Sequence, residues 1–190
     1  NSLTKASYTD GVDAFRKEAQ ISLLNPLSQD LNVLRQTLIY GGLESLAFNI
    51  NRKYSDVLLY EFGKTYNRFG DDFVEQQHLA LWVTGKKQDQ TWNATSDNVD
   101  FFYIKGLVEK ILQKLGLMHE ATIKPLQTDL FSEGLVYKIR KKKTIEIGYV
   151  RTSILKNFGI KQDVFYADFN WDVIFDLLKS KKTVYKEVSK

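Results

Sequence analysis

Four consecutive cations, Arg140-Lys141-Lys142-Lys143, separate two strand-like runs, Leu-Val-Tyr-Lys-Ile at 135–139 and Thr-Ile-Glu-Ile at 144–147. Charge this dense stays in water, so the apolar runs on either side read as the arms of a hairpin whose tip is the basic block. Further strand-like runs lie at 57–62, apolar on both faces at its start as in a central strand, at 73–84 and at 164–169. In 73–84, Leu79, Leu81 and Val83 alternate with Ala80, Trp82 and Thr84. Strand and helix do not alternate regularly along the chain. The expected class is α+β, a largely antiparallel β-sheet flanked by helices.

The helices announce themselves by period. Leu43, Leu46, Ala47 and Ile50 share one face after Gly41-Gly42, a pair that reads as a chain break. Ile104, Leu107, Val108, Ile111, Leu112 and Leu115 give the best helix, with Gly116 as its stop and Asp100 as a cap or strand-edge residue before it. A short helix is expected over 153–158. A last helix follows Asp172 as N-cap and buries Trp171, Ile174, Phe175 and Leu178. Residues 22–24 and 33–38 read as short strands around turns at Asn25-Pro26 and 28–30, a short strand is read at 121–123, and 85–98 reads as a polar surface loop.

Several chemistries are excluded at this level. The chain has no cysteine, so it holds no disulfide, thiolate metal site or cysteine nucleophile, and a cytoplasmic setting fits. His78 and His119 are too far apart for metal-ligand spacing, so no metal site is expected. No P-loop or G-x-G-x-x-G run appears, and Ser45, Ser153 and Ser180 carry no strained-turn signature. No apolar run reaches the roughly 18 residues of a membrane span. A formal charge of +4 is too mild for a dense nucleic-acid stripe, which leaves the basic block as the one concentrated feature. It is either a solvated tip or a phosphate contact. Trp82, Trp92 and Trp171 adjoin apolar runs and read as packing groups rather than base-stacking platforms. Twelve Phe and ten Tyr agree with strand-rich packing.

The run from Asn25-Pro26-Leu27-Ser28 through Leu34-Arg35-Gln36-Thr37-Leu38 to Asn49-Ile50-Asn51-Arg52, followed by Tyr60-Glu61-Phe62-Gly63-Lys64, resembles the core of the bacterial phenylalanyl-tRNA synthetase beta subunit. That family shows N-P-L-S, L-R-x-S/T-L, a Gly-Leu pair, N-x-N-R and F-E-x-G-K in this order. Val99-Asp100-Phe101-Phe102-Tyr103-Ile104-Lys105-Gly106 is similar to a second family run, V-D-F-F-D-x-K-G. The positions carried over are Asn25, Pro26, Arg35, Asn49, Arg52, Glu61, Gly63, Lys64, Asp100, Lys105 and Gly106. Two departures stand in the C-terminal half. Phe131-Ser132-Glu133-Gly134 replaces a family H-P-G-R, and Gly148-Tyr149-Val150-Arg151 replaces a G-x-x-H-P.

The resemblance implies a class II aminoacyl-tRNA synthetase core that does no catalysis. It implies residues 1–190 as a single catalytic-like core domain excised from a longer beta chain, with Tyr185-Lys186 and Ser189-Lys190 leading into an anticodon-binding domain. It implies an alpha subunit as partner in an alpha2-beta2 heterotetramer, with tRNA bound through the holoenzyme and ATP and magnesium used there, none of them in this domain. Catalytic class II cores grip the triphosphate with an arginine on a strand and another opening a helix after a Gly-rich strand. This chain lacks the G-x-G-x-x-x-R run, and Gly148-Tyr149-Val150-Arg151 is its nearest match. No catalytic residue is therefore assigned. Arg35 reads either as the descendant of an ATP-contacting or interface arginine or as a structural arginine bonding carbonyls beside Asn25-Pro26. Glu61 reads as a sheet carboxylate bridging Lys64 or Arg68. Arg140, Lys141, Lys142 and Lys143 are candidate tRNA contacts. Leu3, Tyr8, Val12 and Phe15, with the helix 43–52, are candidate contact surfaces for the alpha subunit. Two other classes stay open: a free-standing tRNA- or RNA-binding module and an active amino-acid-activating enzyme.

Overall fold

The computed structural model describes residues 2–26, 28, 30–87 and 97–180. Trp92 and the connector at 185–190 lie outside them. A small sheet opens the chain: β1 (Leu3–Thr4), β2 (Ile21–Ser22) and β3 (Val33–Leu34), in the order β1-β3-β2. There follow α1 (Ile39–Asn51), β4 (Val57–Phe69), β5 (Asp72–Thr84), α2 (Phe101–Lys114), β6 (Ala121–Pro125), β7 (Phe131–Ile139), β8 (Lys142–Val150), α3 (Thr152–Asn157), β9 (Val164–Asn170) and α4 (Trp171–Lys179). The six long strands form one antiparallel sheet in the order β4-β5-β9-β8-β7-β6. The α+β expectation holds.

Strand alternation divides this sheet into two faces. Tyr60, Leu81, Ala167, Ile147 and Leu135 lie opposite one another in sequence across five strands. Next to them runs the row Glu61, Ala80, Asp168, Glu146 and Val136 on the other face. The first face packs against α2 and α4, burying Leu79, Leu81, Val83, Ile104, Val108, Leu112, Tyr137, Ile145, Ile147, Phe169 and Ile174. The second meets α1 and α3 over Leu38, Ile39, Tyr40, Leu43, Leu46, Trp82, Phe131, Ile154, Leu155 and Tyr166. Burying a side chain of this size contributes about 1.5–3 kcal/mol. Two such cores on one sheet explain why the chain needs no cross-link.

Several local readings change in three dimensions. Gly41-Gly42 does not break the chain, because α1 begins at Ile39. Gly42 is glycine for packing: a Cβ there would overlap the Trp82 indole, whose Nε1 donates to Ile39 O at 3.2 Å. The strand expected over 33–38 ends at Leu34, and the one expected over 22–24 is Ile21–Ser22. Run 57–62 is an edge strand, not a central one, with Leu58, Tyr60 and Phe62 exposed. Asn170 rather than Asp172 caps α4, its Oδ1 accepting from Val173 N at 3.1 Å, while Asp172 accepts from Gln77 N at 2.8 Å. Leu177 takes the buried place expected for Phe175, which stays 52% exposed. Asp100 is a cap: its Oδ1 accepts from Tyr103 N at 2.7 Å. Gly116 ends α2 with a left-handed φ of 66°, as its position predicts.

Candidate functional site

The second face of the sheet carries the polar chemistry, in two hollows. The first, about 210 Å³, is lined by Asp30, Arg35, Thr37, Glu44 and Glu61 among others. Arg35 leaves the end of β3 and lies buried over β4. Its guanidinium pairs with Glu61 Oε1 at 2.7 Å, and its Nε donates to Lys64 O at 2.9 Å. Gly63 is what makes room. A Cβ there would strike the Arg35 guanidinium, Glu61 Oε1 and Leu38. The sequence runs L-R-x-T-L and E-x-G-K, 26 residues apart, are thus two halves of one ion pair laid across a glycine.

This corrects two expectations. Arg35 bonds the carbonyl of Lys64, not one beside Asn25-Pro26, which sit exposed between β2 and β3. Glu61 pairs with Arg35 rather than with Lys64 or Arg68. Lys64 instead reaches Glu75 across the β4–β5 hairpin at 2.6 Å, which holds its ammonium above the usual lysine range.

The second hollow, about 260 Å³, is lined by Gln76, His78, Lys143, Glu146, Asp168 and Asn170. His78 Nδ1 lies 2.9 and 3.1 Å from the two Asp168 oxygens. An ionised carboxylate only accepts, so Nδ1 carries the proton. Lys143 pairs with Glu146 at 2.7 Å. The sequence reading weighed His78 only as a metal ligand and did not single out Glu146 or Asp168. A signal was present: Asp168 is the one acid in the mostly apolar run Val-Phe-Tyr-Ala-Asp-Phe-Asn of β9. A buried acid demands a partner, but β5 is its neighbour only through the tertiary strand order. No group of His, Cys, Asp and Glu among the described residues is arranged to hold a metal ion.

The remaining family positions have local roles. Asn49 Nδ2 donates to Ser45 O at 2.7 Å within α1, and the Arg52 guanidinium stacks on the Phe48 ring. Asp100 caps α2 and takes Lys87 Nζ at 2.9 Å. That hydrogen bond, ahead of the one from Tyr103 N–H, holds its carboxyl below the usual range. Lys105 pairs with Glu109 one turn on, at 2.6 Å. Gly106 faces open space, so nothing among the described residues demands glycine there.

The basic tip divides. Arg140 and Lys141 form the hairpin turn, with left-handed φ of 50° and 68°. Arg140 is engaged by Glu120 at 2.5 Å and by Ser180 Oγ at 2.6 Å, and Lys143 by Glu146. Among the described residues, no ion pair reaches Lys141 or Lys142, and both are exposed.

In the stretch that departs from the family pattern, the Phe131 ring lies over Gly148, where a Cβ would collide with it. Arg151 points its Nε at Phe131 O (3.0 Å) and a terminal nitrogen at Thr128 O (3.2 Å). The N-terminal residues expected at a partner surface belong largely to this chain's own packing. The Tyr8 ring lies tilted against those of Tyr40 and Phe158, with centroids at 5.3 and 5.1 Å, and Phe15 meets Tyr40 at 6.0 Å. Val12 packs on the same core. The outer side of α1 keeps Phe48 exposed.

A six-stranded antiparallel sheet with helices on both faces and a polar hollowed face is the architecture of a class II aminoacyl-tRNA synthetase core. Two structures of pyrrolysyl-tRNA synthetase from Desulfitobacterium hafniense superpose on it. One has a TM-score of 0.69 over 94% of this chain and 61% of that one, and the other 0.62 over 84% and 54%. At 9% and 12% identity these matches establish the fold alone.

The sequence decides the family. Residues 1–171 match the family model described as the phenylalanyl tRNA synthetase beta chain CLM domain, and the chain belongs to that family. It is 41% identical to the phenylalanine–tRNA ligase beta subunit of Bacteroides thetaiotaomicron over the whole of this chain and 24% of that protein. It is 35% identical to that of Porphyromonas gingivalis over 92% of this chain and 23% of that protein. The chain therefore spans about a quarter of the length of the curated relatives it matches. Among the described residues no helix is long and apolar enough to cross a membrane.

Proposed function

We propose that this chain is a non-catalytic assembly domain of a phenylalanine–tRNA ligase beta subunit, working in the cytoplasm within an alpha2-beta2 enzyme. The alpha subunit joins phenylalanine to tRNA with ATP and magnesium. This domain packs against it and holds it in shape.

One observation carries the reading. The cations lining the two hollows of the polar face, Arg35 and Lys143, are each neutralised by a carboxylate of the same chain, Glu61 and Glu146. A triphosphate arriving there meets Glu61, Glu146 and Asp168 with no unpaired Lys or Arg among the described residues of the lining, a repulsive field in a partly desolvated place. Arg151, the nearest match to the helix-opening arginine of catalytic cores, bonds backbone carbonyls instead. The residues present do not fit ATP, and no chemical step is assigned to them. The outer side of α1, with Phe48 and Arg52, is the surface assigned to the alpha subunit. Lys141 and Lys142 are the groups assigned to tRNA phosphates.

The test mixes the chain with a cognate alpha subunit and sizes the product by light scattering, then assays phenylalanine-dependent ATP–pyrophosphate exchange by the chain alone. The reading expects a complex and no exchange. Exchange abolished by Arg35→Ala would make the domain an enzyme, and failure to associate would remove the assembly role.

A further inference from the structure

The positive charge of the chain is concentrated at one corner of the sheet. Residues 120–125 and 135–147 hold six cations, Lys124, Lys138, Arg140, Lys141, Lys142 and Lys143, against two acids, Glu120 and Glu146. Four of the six are the basic block, and the strand order adds the other two. β7 lies between β6 and β8. Thr122 stands opposite Lys138 and Lys124 opposite Val136, and a bulge at Tyr137–Lys138 sets Lys138 opposite Lys143. Side chains two apart on a strand share a face. Lys124, Lys138 and Lys143 therefore stand together on the polar face, beside Glu146. Glu146 neutralises Lys143, and Glu120 holds Arg140. Among the described residues no ion pair reaches Lys124, Lys138, Lys141 or Lys142.

Two features of this corner work against the fold. A two-residue hairpin turn with left-handed φ at both positions favours Asn-Gly. Here Arg140 and Lys141 occupy it, at 50° and 68°. Lys138, partly buried, directly faces Lys143, and like charges so placed repel. A lysine on an edge strand, such as Lys124, guards a sheet against stray pairing. Lys138 is on an interior strand and has no such task. Strain and repulsion retained at one place point to a function there. The turn is also braced: Arg140 reaches Glu120 with two nitrogens, at 2.5 and 3.2 Å, and Ser180 Oγ with the third, at 2.6 Å.

We propose that Lys124, Lys138, Lys141 and Lys142 form one surface for the phosphate backbone of tRNA, indifferent to base sequence. The inference rests on the reading of the tip as a tRNA contact and extends it across β7 to β6. Lysine suits the task, as a compact charge on a flexible stem that can follow phosphates without fixed geometry. Arg140 is a positioning residue. Glu120 and Ser180 occupy its guanidinium, so it fixes the turn and leaves the phosphates to its neighbours. Lys143 spends its charge on Glu146 and adds nothing net. The contact set is thus not the contiguous block 140–143 but two of its members joined to two lysines that only the strand order brings near.

The test measures tRNA binding by the assembled enzyme across a series of potassium chloride concentrations. Lys124→Gln and Lys138→Gln are each expected to reduce the slope of log affinity against log salt by about one. Cognate and non-cognate tRNA should lose equally, because phosphate contacts carry no sequence information. Lys156→Gln, on α3 beyond the other end of β8, should change nothing. Lys141→Gly should leave the fold at least as stable, since glycine accepts the left-handed turn, while weakening tRNA binding. Thermal melts check that each variant is folded. Silence of Lys124→Gln and Lys138→Gln beside a binding defect in Lys141→Glu/Lys142→Glu would overturn this inference and leave the tip reading standing. Silence of all four lysines would overturn both. A slope change in Lys156→Gln equal to theirs would mean diffuse attraction. Phosphatidylserine vesicles bound by the chain and released by Lys138→Gln, at unchanged tRNA affinity, would give the surface to a membrane. Either result overturns the proposal, and a lowered melting temperature in Lys141→Gly would remove Lys141 from it.

Discussion

Removing the Glu61 carboxylate while leaving Arg35 in place isolates the interaction that ties the N-terminal segment to the sheet. Arg35 is 8% exposed, and among the described residues its guanidinium donates to the Glu61 carboxylate and the Lys64 carbonyl. Taking one partner from a fully buried ion pair costs about 3–5 kcal/mol. The Glu61 side chain keeps 34% of its surface, so water reaches the vacated place, and the carbonyl bond survives. The expected cost of Glu61→Ala is about 2 kcal/mol, which for a domain of this size lowers Tm by about 4–8 °C. Urea unfolding should show a lower midpoint at an unchanged slope. The double variant Arg35→Leu/Glu61→Leu should be more stable than Glu61→Ala, because it leaves no unpaired buried charge. A loss below about 0.5 kcal/mol for Glu61→Ala would place the pair with ordinary surface salt bridges, and the account of Gly63 as the floor beneath a buried pair would fail with it.

Gly42→Ala should destabilise by about 2–3 kcal/mol, since its methyl enters the Trp82 ring. The indole's fluorescence should shift with the melt. Asp100→Ala removes the cap of α2 and should cost about 1 kcal/mol at neutral pH. The folded chain holds the Asp100 carboxyl below its unfolded value. Its contribution is therefore present above the unfolded value and lost as pH falls through the folded one. The variant's stability profile should be flatter in that acid window. Lys141→Glu with Lys142→Glu should weaken tRNA binding by the assembled enzyme and reduce its salt slope by about one per lysine lost. An unchanged slope would leave the tip as a solubilising turn.

What could be read without coordinates is what repeats locally. The hairpin around 140–143, the helix α2 with its stop at Gly116 and the antiparallel α+β class all follow from apolar period and charge placement within a dozen residues. Those signals survive because a strand or helix buries its own face whatever its neighbours are. The family likewise rests on ordered runs of residues and needed no geometry. Tertiary structure alone decided that β4 is an edge, that Gly42 is a slot for an indole rather than a break, and that Asp168 belongs with His78. It alone showed that Arg35 and Glu61, 26 positions apart, neutralise each other. Strand order and the partners of a buried charge depend on segments distant in sequence. That Arg35 and Lys143 are neutralised on the polar face is therefore a property of pairing, which no single motif records.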